Sequence, residues 1–251
     1  MHTQNKISVV IITGNEENNI GDCLKSVSWA DEIIVVDSES NDETVNIAKT
    51  FTDKVFIKKW EGYAIQKGYA LSLAKNEWVL SLDADERIND GLAEEILNAD
   101  LSKYDGYYIK RDNYFLGKLI HGCGWGNDFQ LRLFKKSVTG LSTRLVHEKF
   151  VVSGKTSFLK NSFKHFSYKN LKDAFIKINN YSSLEAIEKV DRKTVNIFSL
   201  LFSPPVYFLH HFILRKGFID GIHGVIISYM HMITKVQVQL KILEIKRNRE
   251  S

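Results

Sequence analysis

Apolar runs and mixed segments alternate along the first hundred residues. Residues 7–12 form an almost continuous β-branched run, which is typical of a strand buried on both faces of a parallel sheet. Residues 20–28 instead place Ile20, Leu24 and Val27 at the spacing of one helix face. The two patterns then alternate, with strands predicted at 32–37, 55–57 and 78–83 and helices at 43–51 and 62–74. This order predicts a parallel sheet with right-handed crossovers.

The pattern changes after Leu97. Residues 106–111 and 129–134 are predicted strands, and a glycine-containing segment around Trp125 lies between them, at residues 115–128. An irregular segment of that length inside a compact domain is usually functional. Further strand-like runs follow at 146–150, 151–152 and 157–159.

The last eighty residues have a helical pattern. Residues 171–190 carry apolar side chains at helical spacing, and residues 197–245 are the most apolar part of the chain. Pro204-Pro205, Arg215-Lys216 and several glycines are expected to break this second segment. Two interpretations stay open: the segments lie in a membrane interface between flanking Lys and Arg residues, or they form a helical pair that covers the core.

Charge separates the two ends of the chain. Residues 1–153 contain 18 Lys and Arg against 23 Asp and Glu, a balance of −5, whereas residues 154–251 contain 16 against 7, a balance of +9. A basic, aromatic-rich C-terminal part indicates an anionic partner, for which nucleic acid and an anionic membrane surface are both suitable.

Composition adds little beyond this asymmetry. At 251 residues, 44% hydrophobic and 25% charged, the chain is typical of a globular protein. Cys23 and Cys123 do not suggest a disulfide framework, and the polar first six residues do not resemble a secretory signal. We therefore expect a protein of the reducing cytoplasm.

The first candidate functional residues lie where the predicted strand at 78–83 ends. Asp83 and Asp85 alternate with Ala84, so both side chains share one face if the backbone stays extended. Carboxylate oxygens at the edge of an α/β sheet suit a hard divalent cation, Mg²⁺ or Mn²⁺. The alternative is a solvated turn with an ordinary helix cap.

With these pieces placed, the sequence resembles the family 2 glycosyltransferases of the GT-A fold. The resemblance is strongest to the bacterial branch that builds the lipopolysaccharide inner core, including β-glucosyltransferases that act on core heptose. It covers about residues 6–235 and is carried by segments in the family's order: residues 9–13 with 15–17, 29–38, 66–67, 78–86, 114–117, 130–134 and 146–148. Each motif is weak by itself, and the set is specific.

The resemblance implies an α/β fold of the GT-A type, a Rossmann-like mixed sheet with a C-terminal helical region. It implies metal-dependent, inverting transfer of a hexose, with glucose one candidate, from a nucleotide diphosphate donor such as a UDP-sugar. The acceptor would be lipopolysaccharide core or another lipid-linked glycan. We expect residues 1–165 to bind the donor and carry catalysis, and residues 166–251 to attach peripherally to the anionic inner face of the cytoplasmic membrane, with no nucleic-acid partner.

The resemblance also assigns roles on the donor side. Asp37 would accept a hydrogen bond from uracil or ribose, although it could instead cap the following helix. Asn15 and Glu16 would contact the base and ribose, and Thr13 would contribute through its backbone. Lys67 is a point charge suited to the diphosphate, unless it is a solvated helix lysine.

Metal and base follow from the same resemblance. Asp85 would bind the cation directly, and Asp83 would bind the ribose or a metal-bound water. His147 is a candidate third metal ligand whose ring Glu148 would orient. Alternatively, His147 is an ion-pair partner at the end of a strand. Asp128 would be the base that takes the acceptor proton, unless it only caps the loop. Arg132 would orient Asp128 or a phosphate.

Further aspects remain open from the sequence. Trp125 could stack on a sugar or pack internally. The chain departs from the family's usual residues at four positions, which leave the donor sugar undecided: Gly14, Glu39, Gly68 and Asn127.

A nucleotidyltransferase is the first rival function, but it would normally have a Gly-rich, basic first loop, whereas residues 13–17 are acidic. A non-catalytic module on the membrane surface is the second.

Overall fold

The computed structural model describes residues 6–142, 149–168 and 170–250. The strands are β1 (Ile7–Thr13), β2 (Glu32–Asp37), β3 (Val55–Ile57), β4 (Trp78–Asp83), β5 (Glu86–Ile88), β6 (Gly106–Phe115), β7 (Lys118–Leu119), β8 (Phe129–Lys135), β9 (Thr139–Leu141), β10 (Phe150–Val152) and β11 (Thr156–Tyr168). The helices are α1 (Ile20–Ser26), α2 (Thr44–Lys49), α3 (Tyr63–Leu73), α4 (Asp90–Asn98), α5 (Leu171–Lys189), α6 (Ile197–Leu209) and α7 (Ile222–Glu250).

The chain divides into two compact units. We call residues 1–111 and 129–165 the sheet unit, and residues 112–128 and 166–251 the helical unit. The predicted catalytic domain 1–165 and C-terminal region 166–251 differ from these units only in the placement of residues 112–128, and as functional domains they stay predictions.

The predicted parallel sheet is present in the sheet unit. Strands β3, β2, β1 and β4 lie side by side and all run in the same direction. Along β1, Val9 and Ile11 join the apolar core on one face of the sheet, while Val10 and Ile12 join the core on the other. Burial on both faces explains why this strand needs an almost continuous apolar sequence.

The sheet continues beyond β4 with antiparallel pairs. Strand β8 pairs antiparallel with both β4 and β6, and β11 pairs antiparallel with β5. The mixed sheet with helices confirms the predicted α/β fold. The predicted strand at 146–150 lies mostly outside the described residues, and the sequence interpretation missed β5, α4, β7 and β9.

The helical unit is built on α7, which packs against both α5 and α6. Asn170 and Asn196 cap α5 and α6, because each side-chain oxygen accepts a backbone N–H of the first turn. The expected break at Pro204-Pro205 is wrong: α6 runs through both prolines and continues as a π-helical turn over His210–Leu214. Arg215, Lys216 and a 3-10 turn over Gly217–Asp220 then separate it from α7.

Among the described residues, one helical stretch has the length and composition to cross a membrane. It is Ile197–Leu214, with 18 residues of which 11% are buried within the protein. A single stretch of this kind is weak evidence for a span, because length and apolarity are the only criteria it meets.

Candidate functional site

The carboxyl ends of the central parallel strands bring polar residues to one edge of the sheet. Thr13 at the end of β1 is in register with Asp37 at the end of β2, and Ile12 is in register with Asp83 at the end of β4. Parallel strands that end together place their last side chains beside one another, and open α/β sheets bind ligands at that edge. The sequence placed Asp37 and Asp83 at strand ends, and the strand pairing makes them neighbours of β1.

Asp37 is fully buried and already hydrogen-bonded. Its Oδ1 accepts the Ser40 backbone N–H at 2.8 Å, and its Oδ2 accepts the Ser40 hydroxyl. It does not cap α2, whose N-cap is Glu43. The intervening Glu39 has a φ of 59°, a left-handed conformation that favours glycine. The carboxylate therefore fixes the loop after β2 at the sheet edge.

Asn15 links the loops that follow β1 and β2. Its backbone N–H donates to Ser40 Oγ at 2.7 Å, and its Oδ1 accepts the Asn41 N–H at 2.9 Å. Asn15 itself has a φ of 56°, which asparagine tolerates better than most residues. The residue expected to contact the base or ribose thus also holds the two loops together.

Thr13 and Glu16 are tied to the same region. The Thr13 carbonyl accepts the Ser38 N–H at 2.9 Å, while its buried hydroxyl has no hydrogen-bond partner among the described residues. The Glu16 N–H donates to Thr44 Oγ1 at 2.7 Å, and its side chain accepts from Asn19 Nδ2 at 2.7 Å. Both residues therefore stabilise the loop backbone around this edge.

Asp83 lies between two cationic side chains. Its Oδ2 accepts from Arg132 at 3.0 Å, and its Oδ1 is 3.4 Å from Lys67 Nζ. Burial acts to raise the pKa of Asp83, but the Lys67 and Arg132 charges outweigh it and hold that pKa well below its usual range. Lys67 is only 8% exposed, so it is not the solvated helix lysine of the alternative interpretation.

Arg132 forms a second buried ion pair, with Glu86, that the sequence interpretation missed. Its guanidinium contacts the Glu86 carboxylate directly, and both side chains are almost completely buried. Complete burial raises the pKa of Glu86, and Arg132 opposes that rise. The other Glu86 oxygen accepts the Asp83 N–H at 3.0 Å, so the pair supports the end of β4. The only signal in the sequence was an acid directly after Asp85 at the start of β5.

Asp85 is not on an extended segment with Asp83. Strand β4 ends at Asp83, and the backbone turns over Ala84 and Asp85 before β5 begins. The assumption of one shared strand face is therefore wrong. Asp85 Oδ2 lies 3.6 Å from His165 Nε2, because β11 pairs with β5 in a register that sets His165 opposite Glu86. His165 was not identified from the sequence.

The carboxylate oxygens at this edge suit a hard cation whose remaining ligands are not protein side chains. Asp83 Oδ1 is buried and belongs to an ionised carboxylate; among the described residues it has the ion pair with Lys67 at 3.4 Å but accepts no hydrogen bond. Within those residues no group of three or more His, Cys, Asp and Glu could hold a metal. A cation here would take its remaining ligands from phosphate and water, as Mg²⁺ usually does. His147 and Glu148 lie outside the described residues.

Asp128 belongs to the helical unit, where it ends the segment before β8. Its Oδ2 accepts a hydrogen bond from Asn113 Nδ2 at 3.1 Å, and the same amide donates to the Trp125 carbonyl at 3.2 Å. The Trp125 ring packs edge to face on Phe115, with ring centroids 6.2 Å apart. Trp125 therefore contributes to internal packing, and Asn113 orients the Asp128 carboxylate.

Known proteins similar to this chain point to one family. The model of glycosyl transferase family 2 matches residues 8–165. An uncharacterized glycosyltransferase of Rickettsia typhi is 34% identical over 238 residues, covering 89% of this chain and 82% of the relative. The lipopolysaccharide core biosynthesis glycosyltransferase LpsC of Rhizobium meliloti is 30% identical over 243 residues, covering 89% of each.

A solved structure agrees on the fold. S. aureus TarS residues 1–349, crystallised in complex with UDP-GlcNAc, superposes with a TM-score of 0.51 at 16% identity and covers 92% of this chain and 81% of that one. Since the family model spans more than half of the chain and a relative is 34% identical over most of it, the chain belongs to glycosyl transferase family 2 and is a glycosyltransferase.

Proposed function

We propose that this enzyme transfers a hexose from a UDP-sugar to a lipopolysaccharide-core acceptor, with a divalent cation and with inversion at the anomeric carbon. The observation that carries the proposal is the edge formed by Thr13, Asp37 and Asp83 at the carboxyl ends of adjacent parallel strands. That edge combines carboxylates with the buried cation of Lys67, which is the chemistry a nucleoside diphosphate requires.

The nucleoside would bind against the loops after β1 and β2. Asp37 and Asn15 fix the loop backbone through Ser40, so the edge is organised before the donor arrives. Thr13 and Glu16 extend the same surface toward base and ribose. Lys67 is held near Asp83 by their ion pair and would meet the diphosphate.

The cation would bind chiefly to Asp85. Asp83 is already engaged by Arg132 and Lys67, so its role is to hold the ribose or a cation-bound water. His165 Nε2 lies 3.6 Å from Asp85 Oδ2 and would orient that carboxylate, and His147 stays a proposed third ligand. A bound Mg²⁺ or Mn²⁺ would neutralise charge that builds on the departing diphosphate.

Asp128 would act as the general base. Its carboxylate would accept the proton of the acceptor hydroxyl as that oxygen attacks the anomeric carbon and the UDP group departs from the opposite side. A single displacement of this kind inverts the anomeric configuration. Asn113 holds the carboxylate through its 3.1 Å hydrogen bond.

The acceptor class rests on similarity to LpsC, whose name places it in lipopolysaccharide core biosynthesis. A lipid-anchored acceptor and the basic C-terminal region together support peripheral attachment to the inner face of the cytoplasmic membrane. The two rival functions, a nucleotidyltransferase and a non-catalytic module, are set aside because the chain is a glycosyltransferase.

The test is a screen of UDP release from a panel of nucleotide sugars, with Mn²⁺, with Mg²⁺ and with EDTA. We expect release from a UDP-hexose that requires the cation and rises when truncated lipopolysaccharide core is added. Calorimetry on the folded Asp85→Ala variant should show loss of Mn²⁺-dependent UDP binding, because the direct cation ligand is gone. Asp53→Ala, an exposed carboxylate of the same unit, is the matched control.

Three results would contradict the proposal. Turnover that is unchanged in EDTA would show that the reaction needs no divalent cation. Unchanged Mn²⁺-dependent UDP affinity in Asp85→Ala would show that the cation binds to other residues. Release from a donor that carries another nucleotide, with none from UDP-sugars, would overturn the assignment of the donor.

A further inference from the structure

Helix α6 and the π-helical turn that follows it expose a continuous apolar face. Five residues form it at a spacing of three or four, and each is between 50% and 67% exposed. We call them the apolar stripe: Phe198, Phe202, Val206, Leu209 and Ile213. Because their spacing matches the helical period, they lie on one side of the helix. Exposed apolar surface on this scale marks an interaction site.

The opposite side of α6 is occupied by α7. Ser203 accepts a hydrogen bond from Gln239, and Tyr207 accepts one from Lys235 at 3.0 Å. Pro204 and His211 on the same side are buried. The apolar stripe is therefore the outer face of the α6–α7 pair.

Basic residues bracket the stripe. Arg192 and Lys193 precede α6, Arg215 and Lys216 follow the π-helical turn, and residues 194–214 between them contain no charged side chain. Arg192, Arg215 and Lys216 are exposed. An apolar face with cations at both ends complements a bilayer with anionic headgroups, because the chains accept the apolar side chains and the headgroups accept the cations.

Two features disfavour a membrane span. Pro204 and Pro205 have no backbone N–H, so the carbonyls of Leu200 and Leu201 lose their helical donors near the middle of the stretch. Unsatisfied backbone groups are costly in the hydrocarbon core and cost little in the hydrated interface. A span would also carry Lys235, which is bound to Tyr207, into the bilayer.

We propose that the apolar stripe docks α6 in the plane of an anionic bilayer surface, with the helix axis parallel to the membrane. This deepens the proposed function, on which it rests for the identity of a lipid-linked acceptor, by naming the surface and its orientation. Aromatic side chains would enter the acyl boundary, and the basic residues at the two ends would contact headgroups.

The first experiment is flotation of the full-length protein with phosphatidylcholine vesicles, with and without phosphatidylglycerol. We expect binding that requires phosphatidylglycerol and weakens with salt. Phe202→Asn should lower the partition coefficient about tenfold, since burial of a phenylalanine ring is lost. Phe158→Asn is the matched control, because Phe158 of the sheet unit is 61% exposed and Phe202 is 63% exposed. It should bind like the wild type.

The second experiment measures orientation. Val206 lies near the middle of the apolar stretch, so Val206→Trp reports depth through quenching by brominated lipids. A helix in the interface predicts strong quenching by shallow bromines and weak quenching by deep ones, after subtraction of the wild-type signal. A span predicts the reverse.

Several results would overturn the inference. These are equal flotation on neutral and anionic vesicles, equal losses in Phe202→Asn and Phe158→Asn, or deep quenching of Val206→Trp. An absence of flotation together with concentration-dependent dimerisation would assign the stripe to a second copy of the chain. UDP release measured without vesicles tests the proposed function separately, so failure of either can be recognised.

Discussion

Asn113 donates a hydrogen bond from Nδ2 to Asp128 Oδ2 at 3.1 Å and, from the same amide, one to the Trp125 carbonyl at 3.2 Å. Asn113 is buried on β6, a ten-residue strand, whereas Asp128 ends an irregular segment. The rigid strand therefore fixes both the course of the segment and the direction of the carboxylate. This makes Asn113 a positioning residue for the proposed base.

We predict that Asn113→Ala lowers kcat by about tenfold to about a hundredfold, because one hydrogen bond to a charged group contributes about 1.5–3 kcal/mol. The donor KM should stay within a few-fold of the wild-type value. The acidic limb of the pH–rate profile should move to higher pH, since the lost donor favoured the ionised carboxylate. Steady-state kinetics over a pH series provides the measurement.

The matched control for this prediction is Asn127→Ala, an exposed asparagine beside Asp128. It should leave both kcat and the pH profile unchanged. A fall in kcat for Asn113→Ala without any movement of the profile would show that the residue only supports the local structure.

Asp128→Asn retains the size and shape of the side chain but removes its ability to accept a proton. We expect donor affinity within a few-fold of the wild type and a loss of turnover of about a hundredfold or more, the usual scale for a general base. Calorimetry with UDP and single-turnover kinetics separate the two effects. Turnover like that of the wild type would transfer the role to another acid, with Glu148 tested first.

The stability contributions of Arg132 and Glu86 should depend on each other, because each buried charge needs the other as its partner. Arg132→Met should lower the free energy of unfolding by about 3–5 kcal/mol, because it leaves a buried carboxylate without its partner. Arg132→Met combined with Glu86→Leu should recover only part of that loss. The double variant removes the unpaired Glu86 carboxylate, but Asp83 still loses its contact with Arg132 and the acceptor of its N–H. Urea denaturation measures all three proteins.

A control for the buried pair is the exposed pair of Arg249 and Asp191 in the helical unit. Arg249→Met should change the free energy of unfolding by about 1 kcal/mol or less. If the double variant at Arg132 and Glu86 is as unstable as Arg132→Met alone, the arginine stabilises the fold through other contacts.

His231 should make the protein less stable in mild acid. Burial lowers its pKa from 6.5 to about 3, with smaller contributions from His211, Arg215 and His210. The folded state therefore binds fewer protons than the unfolded state between these values. The neutral His231 ring therefore makes its full contribution to the free energy of unfolding above the pKa that the residue has in the unfolded state. This contribution is lost as the pH falls toward the pKa of the folded state. Between about pH 7 and about pH 5 we expect a loss of about 2 kcal/mol.

The measurement for His231 is urea denaturation, followed by far-UV circular dichroism, at both pH values. His231→Gln should lack this part of the pH dependence, whereas His121→Gln, an exposed histidine of the same unit, should retain it. An unchanged pH dependence in His231→Gln would assign the acid sensitivity to other groups.

The sequence by itself determined the parallel part of the fold and the strand ends. Strand β1 is buried on both faces, so nearly every position must be apolar, and this leaves a strong local signal. Asp37 and Asp83 were recognisable because each interrupts an apolar run where its strand ends. The loop roles of Asn15 and Glu16 and the base role of Asp128 came from motif order, and they stay predictions.

Only the tertiary structure decided which charged groups meet. Arg132 and Glu86 are 46 residues apart, so their contact depends on the antiparallel register of β8 against β4. His165 reaches Asp85 for a similar reason, through the pairing of β11 with β5. Strand register across such separations is set by the packing of both sheet faces, and no local pattern encodes it.

The path of α6 is also decided by tertiary packing and not by the local sequence pattern. Two adjacent prolines predict a break, yet α6 continues through them. The local cost is two lost hydrogen bonds, and the packing of Pro204 and His211 on the α7 side offsets it. The sequence therefore determined how apolar this segment is, whereas the packing of α7 decided that it is one helix and which of its faces stays exposed.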